Sequence, residues 1–313
     1  MLDVYSAFAW SQAALPVFPG RKSRLESFAG ADRTYTIEGM MRDGKALQAG
    51  TSHNLGTNFA EAFGTRFQDP SGDLKPVHQS SWGVSTRMVG GIIMAHGDDM
   101  GLRLPPALAP VQVVFVPVGV TGKRVKPEDA EAVAAALAAL RGACAAAGLR
   151  AEVDDREGRT PGWKFAYHEM RGVPLRVEVG PRDVGAGEGV AARRDRSALG
   201  KEGKLPCPLA PDAFAAWARG QLDEIQAALL ADALAFRDAN VVDCATREEL
   251  VAAVADGRWA RCGWAGSDED ETAVKEETGA TLRCFPLEQP EGGMTCVMTG
   301  VAGAEVALFA KAY

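Results

Sequence analysis

The 313-residue sequence has no run of 18 consecutive apolar residues and only six cysteines. A membrane-spanning helix needs about 20 mostly apolar residues, so we expect no such helix and no membrane partner. The first residues, MLDVYSAFAWSQAAL, contain an aspartate and no basic residue, which argues against a secretory signal peptide. The cysteines are too few and too scattered for a disulfide scaffold, which indicates a reduced, cytoplasmic protein.

The sequence also lacks an excess of positive charge. Its formal net charge is -7, which argues against a protein that is basic all over, as many nucleic-acid-binding proteins are. Residues 150–204 differ from the rest, because they hold twelve Lys or Arg against ten Asp or Glu. A local basic surface in that region therefore stays possible.

The patterns that are present divide the chain into three regions. Residues 1–109 alternate short β-rich runs with turns, and Asp43-Gly44 predicts a hairpin between strands at 34–41 and 45–50. Residues 110–210 open on the apolar run VQVVFVPV and follow a β-α-β-α-β order, which predicts a small α/β domain. Residues 211–313 begin with a long helix and continue as a small α+β domain. We therefore expect a multidomain protein of α/β and α+β class.

Two stretches are more specific than composition. They are GKALQAGTSHNLGTNFAEAF at 44–63 and SSWGVSTRMVGGIIMAHGDDMGLRLPP at 80–106. Together they resemble the second half of the catalytic domain of the prolyl-tRNA synthetase family, and the second stretch resembles its class II motif 3. The resemblance continues to the final FAKAY. It implies part of an antiparallel-sheet class II catalytic domain at 1–109, an α/β anticodon-binding domain at 110–210 and an extra C-terminal domain at 211–313.

The second stretch places an arginine in the first turn of a predicted helix over 84–96. Backbone N–H groups and the helix dipole favour an anion there, and a guanidinium can hold phosphate oxygens in a bidentate way. The resemblance implies that Arg87 binds the ATP γ-phosphate, with further nucleotide contacts from Gln48 and Ser85. ATP with Mg²⁺ is then a substrate, and no side-chain nucleophile is required.

The first stretch contains Thr-Ser-His in a predicted strand. Thr51 and His53 then point to one face, because side chains alternate along a strand. The resemblance implies that both residues line a proline pocket, with Phe28 as its aromatic wall. Taken singly, His53 is typical of a structural histidine and Phe28 of a core residue.

A third cluster lies in the basic region, where aromatic and charged residues alternate in GWKFAYHEM. Single-stranded RNA is read by stacking and by polar contacts to base edges, so this region suits an anticodon loop. Arg156, Lys164 and Glu169 are the candidates for reading bases. We expect Trp163 and Phe165 to be buried.

The sequence departs from the family pattern in two ways. We find no motif 1, no motif 2 arginine and no Thr-x-Glu element, so we expect a fragment, half of a split enzyme or a wrongly started translation. The 313 residues alone are then not competent for activation. Family members with the C-terminal domain often bind zinc through two cysteine pairs, but here only Cys262 and Cys296 occupy matching places, with Ser267 or Gly266 and Thr299 at the others.

Four good ligands are needed for structural zinc, so we expect a zinc-free C-terminal domain. It must then be held by an apolar core, for which we predict Trp259, Trp264, Leu282, Phe285, Leu308 and Phe309. The acidic run at 268–271 is interpreted as a solvated helix start, where negative charge interacts favourably with the helix dipole.

The resemblance implies the C-terminal portion of a proline–tRNA ligase. The intact enzyme, a homodimer, would activate L-proline with ATP to prolyl-adenylate and transfer proline to tRNA(Pro). The alternative is a non-catalytic tRNA-binding or regulatory paralogue. Retention of the ATP and proline residues counts against that alternative.

Overall fold

The structure is a computed structural model, which describes residues 1–121 and 125–313. The described residues form two compact units. The first unit contains residues 1–11, 15–95 and 233–313, and the second contains residues 12–14 and 96–232. The compact units group the first and last parts of the chain together, so they do not test the predicted domain boundaries near 109 and 210. Those boundaries stay a prediction.

The N-terminal part of the first unit is rich in antiparallel strands. Its elements are α1 (Leu2–Ser11), β1 (Val17–Arg21), β2 (Arg33–Met40), β3 (Ala46–Gly56), α2 (Asn58–Phe63), β4 (Arg66–Gln68), β5 (Leu74–Pro76), β6 (Gln79–Gly83) and α3 (Arg87–His96). The predicted hairpin is confirmed, since β2 and β3 pair antiparallel on either side of Asp43-Gly44. The helix predicted from residue 84 begins three residues later, at Arg87, whose N–H donates to Ser85 Oγ at 3.3 Å.

The second unit is an α/β domain. Its elements are β7 (Val113–Pro117), α4 (Pro127–Ala146), β8 (Ala151–Val153), α5 (Pro161–Met170), β9 (Leu175–Val179), α6 (Pro181–Ala186), β10 (Glu188–Arg193), a 3-10 helix (Arg194–Gly203), β11 (Lys204–Pro208) and α7 (Pro211–Ala239), whose residues from Ala233 onward are counted with the first unit. The sheet order is β11-β10-β9-β7-β8, in which β9, β7 and β8 are parallel. Although α7 has 29 residues, no helix in the described part of the chain is long and apolar enough to cross a membrane.

The core of the second unit lies between the sheet and its helices. Phe115 and Leu175 on the parallel strands pack in one cluster with Leu140 of α4 and Phe214 of α7. The rings of Phe115 and Phe214 lie 5.2 Å apart. The apolar run that predicted β7 is therefore buried, as expected for a strand covered on both faces.

The C-terminal part of the chain completes the first unit. Its elements are β12 (Val241–Asp243), α8 (Arg247–Ala255), β13 (Trp259–Trp264), α9 (Asp268–Thr278), β14 (Thr281–Pro286) and β15 (Glu305–Ala310). Its four strands join β1, β2, β3 and β6 in one eight-stranded sheet of order β12-β13-β15-β14-β1-β2-β3-β6. The junction is the antiparallel pair β1–β14, where Gly20 lies opposite Pro286.

Two features explain why β1 and β14 fit together. A Cβ at Gly20 would lie 2.6 Å from the Cβ of Cys284, so only glycine permits this approach. Beside it, the fully buried Glu38 lies 3.0 Å from Lys22 Nζ and 2.9 Å from an Arg283 nitrogen. Lys22 and Arg283 are thus both paired with a carboxylate, as buried charges require.

The predicted C-terminal core is confirmed. All six residues are less than 9% exposed; they are Trp259, Trp264, Leu282, Phe285, Leu308 and Phe309. The acidic start of α9 is also confirmed, because Ser267 Oγ accepts the Asp270 N–H and Asp270 accepts the Ser267 N–H. Glu271 is not solvated as expected, since it is buried against Ser23, whose Oγ donates to it at 2.8 Å.

Candidate functional site

Three of the predicted site residues lie on β3. His53 pairs with Thr34 of β2 and Ser81 of β6, while Thr51 pairs with Thr36 and Gly83. The β2–β3 register shifts between Ile37 and Glu38, which lies opposite Gln48. A bulge of this kind changes the phase of side-chain alternation, so Gln48 can share a face with Thr51 and His53.

An aromatic pocket surrounds His53. The Phe28 ring lies 5.0 Å from the imidazole, and Phe59 of α2 stacks on Phe28 at 6.3 Å. These three side chains, with Leu55 and Phe63, line an open cavity of about 350 Å³. The structure thus brings Phe28 and His53 together, and it adds Phe59, which the sequence reasoning missed although it lies six residues after His53.

The charge state of His53 follows from its surroundings. Burial lowers the pKa of His53, because a charged imidazole loses hydration inside the protein. The ring is therefore neutral near pH 7. A neutral imidazole offers one N–H donor and no net charge to a ligand.

The predicted nucleotide residues meet at the start of α3. Arg87 is exposed, and its Nη1 donates to the Gln48 carbonyl at 3.4 Å. Within residues 1–121 and 125–313, no carboxylate lies within ion-pair distance of Arg87. Its charge is thus available to an anion.

Gly91 of α3 has no room for a side chain. A Cβ there would lie 2.7 Å from Leu47 of β3, so the strand approaches the helix closely. Among the described residues, only the side chain of Met94 comes within 4 Å of a Cβ placed at Gly90, which leaves space on that side of the helix.

Arg87 and Gln48 open onto a polar cavity of about 240 Å³. Lys22, Glu26 and Arg283 also line it, and the sequence reasoning missed all three. Arg283 comes from β14, 196 residues after Arg87 in the sequence, so no local pattern could have placed it here. A larger cavity of about 990 Å³ in the same unit contains none of the predicted site residues.

In the second unit, Arg156 and Lys164 lie together. They line a cavity of about 830 Å³ with Arg159 and Thr160, at the carboxyl ends of β7 and β8. Ligands of parallel α/β sheets bind at this edge. Two of the three predicted base-reading residues therefore share one cavity.

Asp154, which the sequence reasoning missed, holds this cluster. It is 5% exposed, and its carboxylate accepts from Arg156 Nη2 at 2.5 Å and lies 2.8 Å from His168 Nε2. Lys164 Nζ donates to its backbone carbonyl at 2.8 Å. Burial raises the pKa of Asp154, but the hydrogen bonds from Arg156 and His168 outweigh it and hold that pKa well below its usual range.

Glu169 is not part of this cluster. It lines a different cavity, on the exposed side of α5, with Trp163, Tyr167 and Met170. The expectation that Trp163 is buried is wrong, since it is 38% exposed and stacks on Tyr167 at 5.1 Å. Arg156 lies over both rings, at 5.0 and 4.0 Å, so the cations of this region hold the aromatic side chains at the surface.

The cysteines are buried and form no disulfide. Cys296 Sγ accepts N–H groups from Ala265 at 3.1 Å and Thr299 at 3.4 Å. Burial raises the pKa of Cys296, but these bonds and the Thr299 hydroxyl outweigh it and lower that pKa. Burial raises the pKa of Cys262. Across the described ranges, no three His, Cys, Asp or Glu side chains are placed to hold a metal ion.

Comparison with known proteins agrees with this geometry. Residues 112–204 match the family model of the anticodon binding domain, and residues 247–313 match that of the C-terminal domain of prolyl-tRNA synthetase. A chloroplastic/mitochondrial proline–tRNA ligase of Arabidopsis thaliana is 54% identical over 100% of the chain, which covers 56% of that protein. A proline–tRNA ligase of Roseiflexus castenholzii is 47% identical over 99% of the chain, which covers 62% of it.

Solved structures agree as well. The prolyl-tRNA synthetase of Cryptosporidium parvum, crystallised with L-proline and AMP, superposes with a TM-score of 0.87 at 33% identity. The match covers 100% of the chain and 65% of that structure, so the chain spans somewhat less than two thirds of these relatives. The mixed α/β architecture with its antiparallel sheet is that of the class II synthetases. The 313 residues correspond to the C-terminal region of the prolyl-tRNA synthetases.

Proposed function

We propose that the chain is the C-terminal portion of a proline–tRNA ligase, which activates L-proline with ATP and transfers it to tRNA(Pro). One observation carries the proposal. In the first unit, the aromatic pocket and the exposed cation Arg87 both contact strand β3, the pocket through His53 and the cation through the carbonyl of Gln48. An amino acid and a nucleotide could be held side by side there.

The aromatic pocket suits a small, mostly apolar amino acid. Phe28 and Phe59 offer ring faces, and the neutral His53 adds one polar contact without a charge. Such pockets recognise their ligand through shape and a few placed polar groups. We assign Phe28, Thr51 and His53 to proline, in line with the L-proline present in the Cryptosporidium structure.

The start of α3 suits the nucleotide. Arg87 at the positive end of the helix dipole can stabilise phosphate oxygens, with Gln48 and Ser85 as further contacts. A related Cryptosporidium structure, 33% identical, was crystallised with AMPPNP. Mg²⁺ is proposed to arrive with ATP as part of the substrate. Catalysis is then positioning and charge stabilisation, with no covalent intermediate on the protein.

The second unit suits the anticodon. Arg156 and Lys164 border a cavity wide enough for a base, while Trp163 and Tyr167 form a stack at the surface nearby. Stacking platforms beside cations are typical of single-stranded RNA sites. Glu169 is assigned to the same RNA, from its separate cavity.

The remaining assignments follow from the resemblance. The intact enzyme is proposed to be a homodimer, with tRNA(Pro), L-proline and ATP as partners and no membrane partner. The cytoplasm is the proposed compartment, on the ground of six unpaired cysteines. Fractionation of the source cells tests it, since the Arabidopsis relative is named for organelles.

Binding of tRNA by the 313-residue chain tests the proposal. Lys164→Ala should weaken binding to tRNA(Pro) by roughly 1–3 kcal/mol. It should weaken binding to a tRNA with another anticodon much less. Lys201→Ala is the control for the loss of one lysine charge, because Lys201 is an exposed lysine of the same unit. Equal losses for both tRNAs would assign Lys164 to structure rather than base reading.

Activation is the second measurement. The 313 residues alone should show no proline-dependent ATP–diphosphate exchange above an Arg87→Ala control, because no motif 2 arginine is present in them. The sequence restored upstream with motifs 1 and 2 should show exchange that Arg87→Ala abolishes. A restored chain that binds tRNA(Pro) and lacks exchange would favour the non-catalytic paralogue instead.

A further inference from the structure

One buried hydroxyl connects the two residues of the aromatic pocket. Thr34 lies opposite His53 in the β2–β3 pair, with its Oγ1 3.0 Å from His53 Nδ1. The same oxygen accepts the backbone N–H of Phe28 at 3.0 Å. Thr34 is only 2% exposed, so water does not compete for these bonds.

The hydrogen bonds of this hydroxyl determine where the proton of His53 lies. The Phe28 N–H donates to Thr34 Oγ1, so it cannot receive the hydroxyl hydrogen. A buried hydroxyl hydrogen needs an acceptor, and within the described residues Nδ1 of His53 is the one that lies within bonding distance. Nδ1 accepts only when it carries no proton, so the neutral ring is protonated at Nε2.

We propose that Thr34 is a positioning residue of the proline site, which fixes His53 as the Nε2–H tautomer and anchors Phe28 beside it. The pocket then presents one N–H donor next to an aromatic face. That pair fits a small ligand with an apolar ring and an acceptor oxygen. The name of the ligand rests on the proposed function, whereas the tautomer rests on the contacts alone.

Histidine-selective ¹⁵N labelling of the full chain allows a direct test, since the chain has four histidines. Long-range ¹H–¹⁵N spectra distinguish a protonated from an unprotonated ring nitrogen, and His53→Asn assigns the His53 signals. We expect an unprotonated Nδ1 and a protonated Nε2 in the wild type. A protonated Nδ1 would overturn the proposal.

Two substitutions separate positioning from general support. Thr34→Ser keeps the hydroxyl and should preserve the Nδ1 resonance and the slow amide exchange of Phe28. Thr34→Val keeps the shape and loses the hydroxyl, so the Nδ1 resonance should shift toward that of a nitrogen without a hydrogen bond, and the Phe28 amide should exchange faster. Identical spectra for the two variants would contradict the proposal. If Thr34→Val does not fold, the wild-type and Thr34→Ser spectra still decide.

A third readout distinguishes this proposal from the proposed function. Saturating L-proline should shift the Nε2 resonance of His53, and L-alanine at the same concentration should shift it less. If the tautomer is as expected and L-proline has no effect, the positioning role stands and the ligand assignment fails. If L-proline shifts the resonance of a ring that is protonated at Nδ1, the ligand assignment stands and the positioning role fails.

Discussion

The cavity at Arg87 in the first unit and the cavity at Arg156 in the second differ in whether a carboxylate pairs with the arginine. Beside α3, Arg87 is exposed and touches a backbone carbonyl at 3.4 Å. In the second unit, the Arg156 guanidinium is bonded to the buried Asp154, which raises the pKa of Arg156 above its already high value. The sequence analysis predicted a ligand contact for both arginines: ATP for Arg87 and an RNA base for Arg156.

The difference shows what each cavity can bind. An arginine without a carboxylate partner can give its full charge and both N–H edges to a phosphate. An arginine already paired keeps its flat face and its remaining N–H groups, and Arg156 uses its face on Tyr167 at 4.0 Å. The first cavity is therefore suited to an anion and the second to a base.

Removing the buried carboxylate should have the largest effect. Asp154→Asn leaves Arg156 and Lys164 without their anionic partner, and loss of one member of a buried ion pair typically costs about 3–5 kcal/mol. We expect a decrease of that size in the free energy of unfolding of the second unit, measured by urea denaturation. Asp155→Asn is the control, because that neighbour is exposed, and equal losses in both variants would refute the role of Asp154.

The same substitution should change the response to acid. The pKa of Asp154 is lower in the folded protein than in the unfolded chain, so the folded protein releases this proton more readily. Its stabilisation is complete above pH of about 4 and is lost as the pH falls below that value. The wild type should therefore lose stability between about pH 4 and pH 2 more steeply than Asp154→Asn, and parallel curves would contradict this.

Arg87 should matter for nucleotide and little for stability. Arg87→Ala removes charge-assisted hydrogen bonds to phosphate, which are worth about 1.5–3 kcal/mol. ATP binding, measured by calorimetry, should weaken accordingly, while the unfolding temperature should not change. Arg66→Ala, at an exposed position of β4, is the control. Unchanged ATP affinity in Arg87→Ala would place the nucleotide elsewhere.

The aromatic stack of the second unit should contribute to tRNA binding about the same free energy as Arg87 contributes to ATP binding, or less. Trp163→Ala should weaken tRNA(Pro) binding by roughly 1–3 kcal/mol, the usual value of one base–aromatic stack. Trp163→Phe keeps a ring and should recover part of the loss. If the two variants bind equally, the exposed Trp163–Tyr167 stack does not contact RNA.

The smallest expected effect concerns metal. Protein purified without chelator should contain no stoichiometric zinc, and chelation should leave its unfolding temperature unchanged, because the apolar core holds the C-terminal part. The double variant Ser267→Cys, Thr299→Cys restores four cysteines and serves as the positive control for zinc uptake. About one zinc per wild-type chain would show that other ligands complete the site.

Local chemistry in the sequence was enough for several elements. Asp43-Gly44 predicted the β2–β3 hairpin, and the acidic run after Ser267 predicted the start of α9. The separation of Lys164 from Glu169 was not predicted, although residues five apart on a helix lie about 140° from each other. The sequence could not place Asp154 or Arg283, since both act through long-range burial and ion pairing that no local pattern encodes.

The β1–β14 pair has a consequence for how the protein is made. Strand β1 reaches its partner only after Pro286 has been synthesised, about 266 residues after Gly20. At the usual 5–20 residues per second, the ribosome needs roughly ten seconds to a minute for that length. During this interval one edge of β1 has no native neighbour, and an unpaired strand edge invites pairing with other chains. The first unit should therefore depend on chaperones during translation more than the second, whose sheet is completed within about a hundred residues.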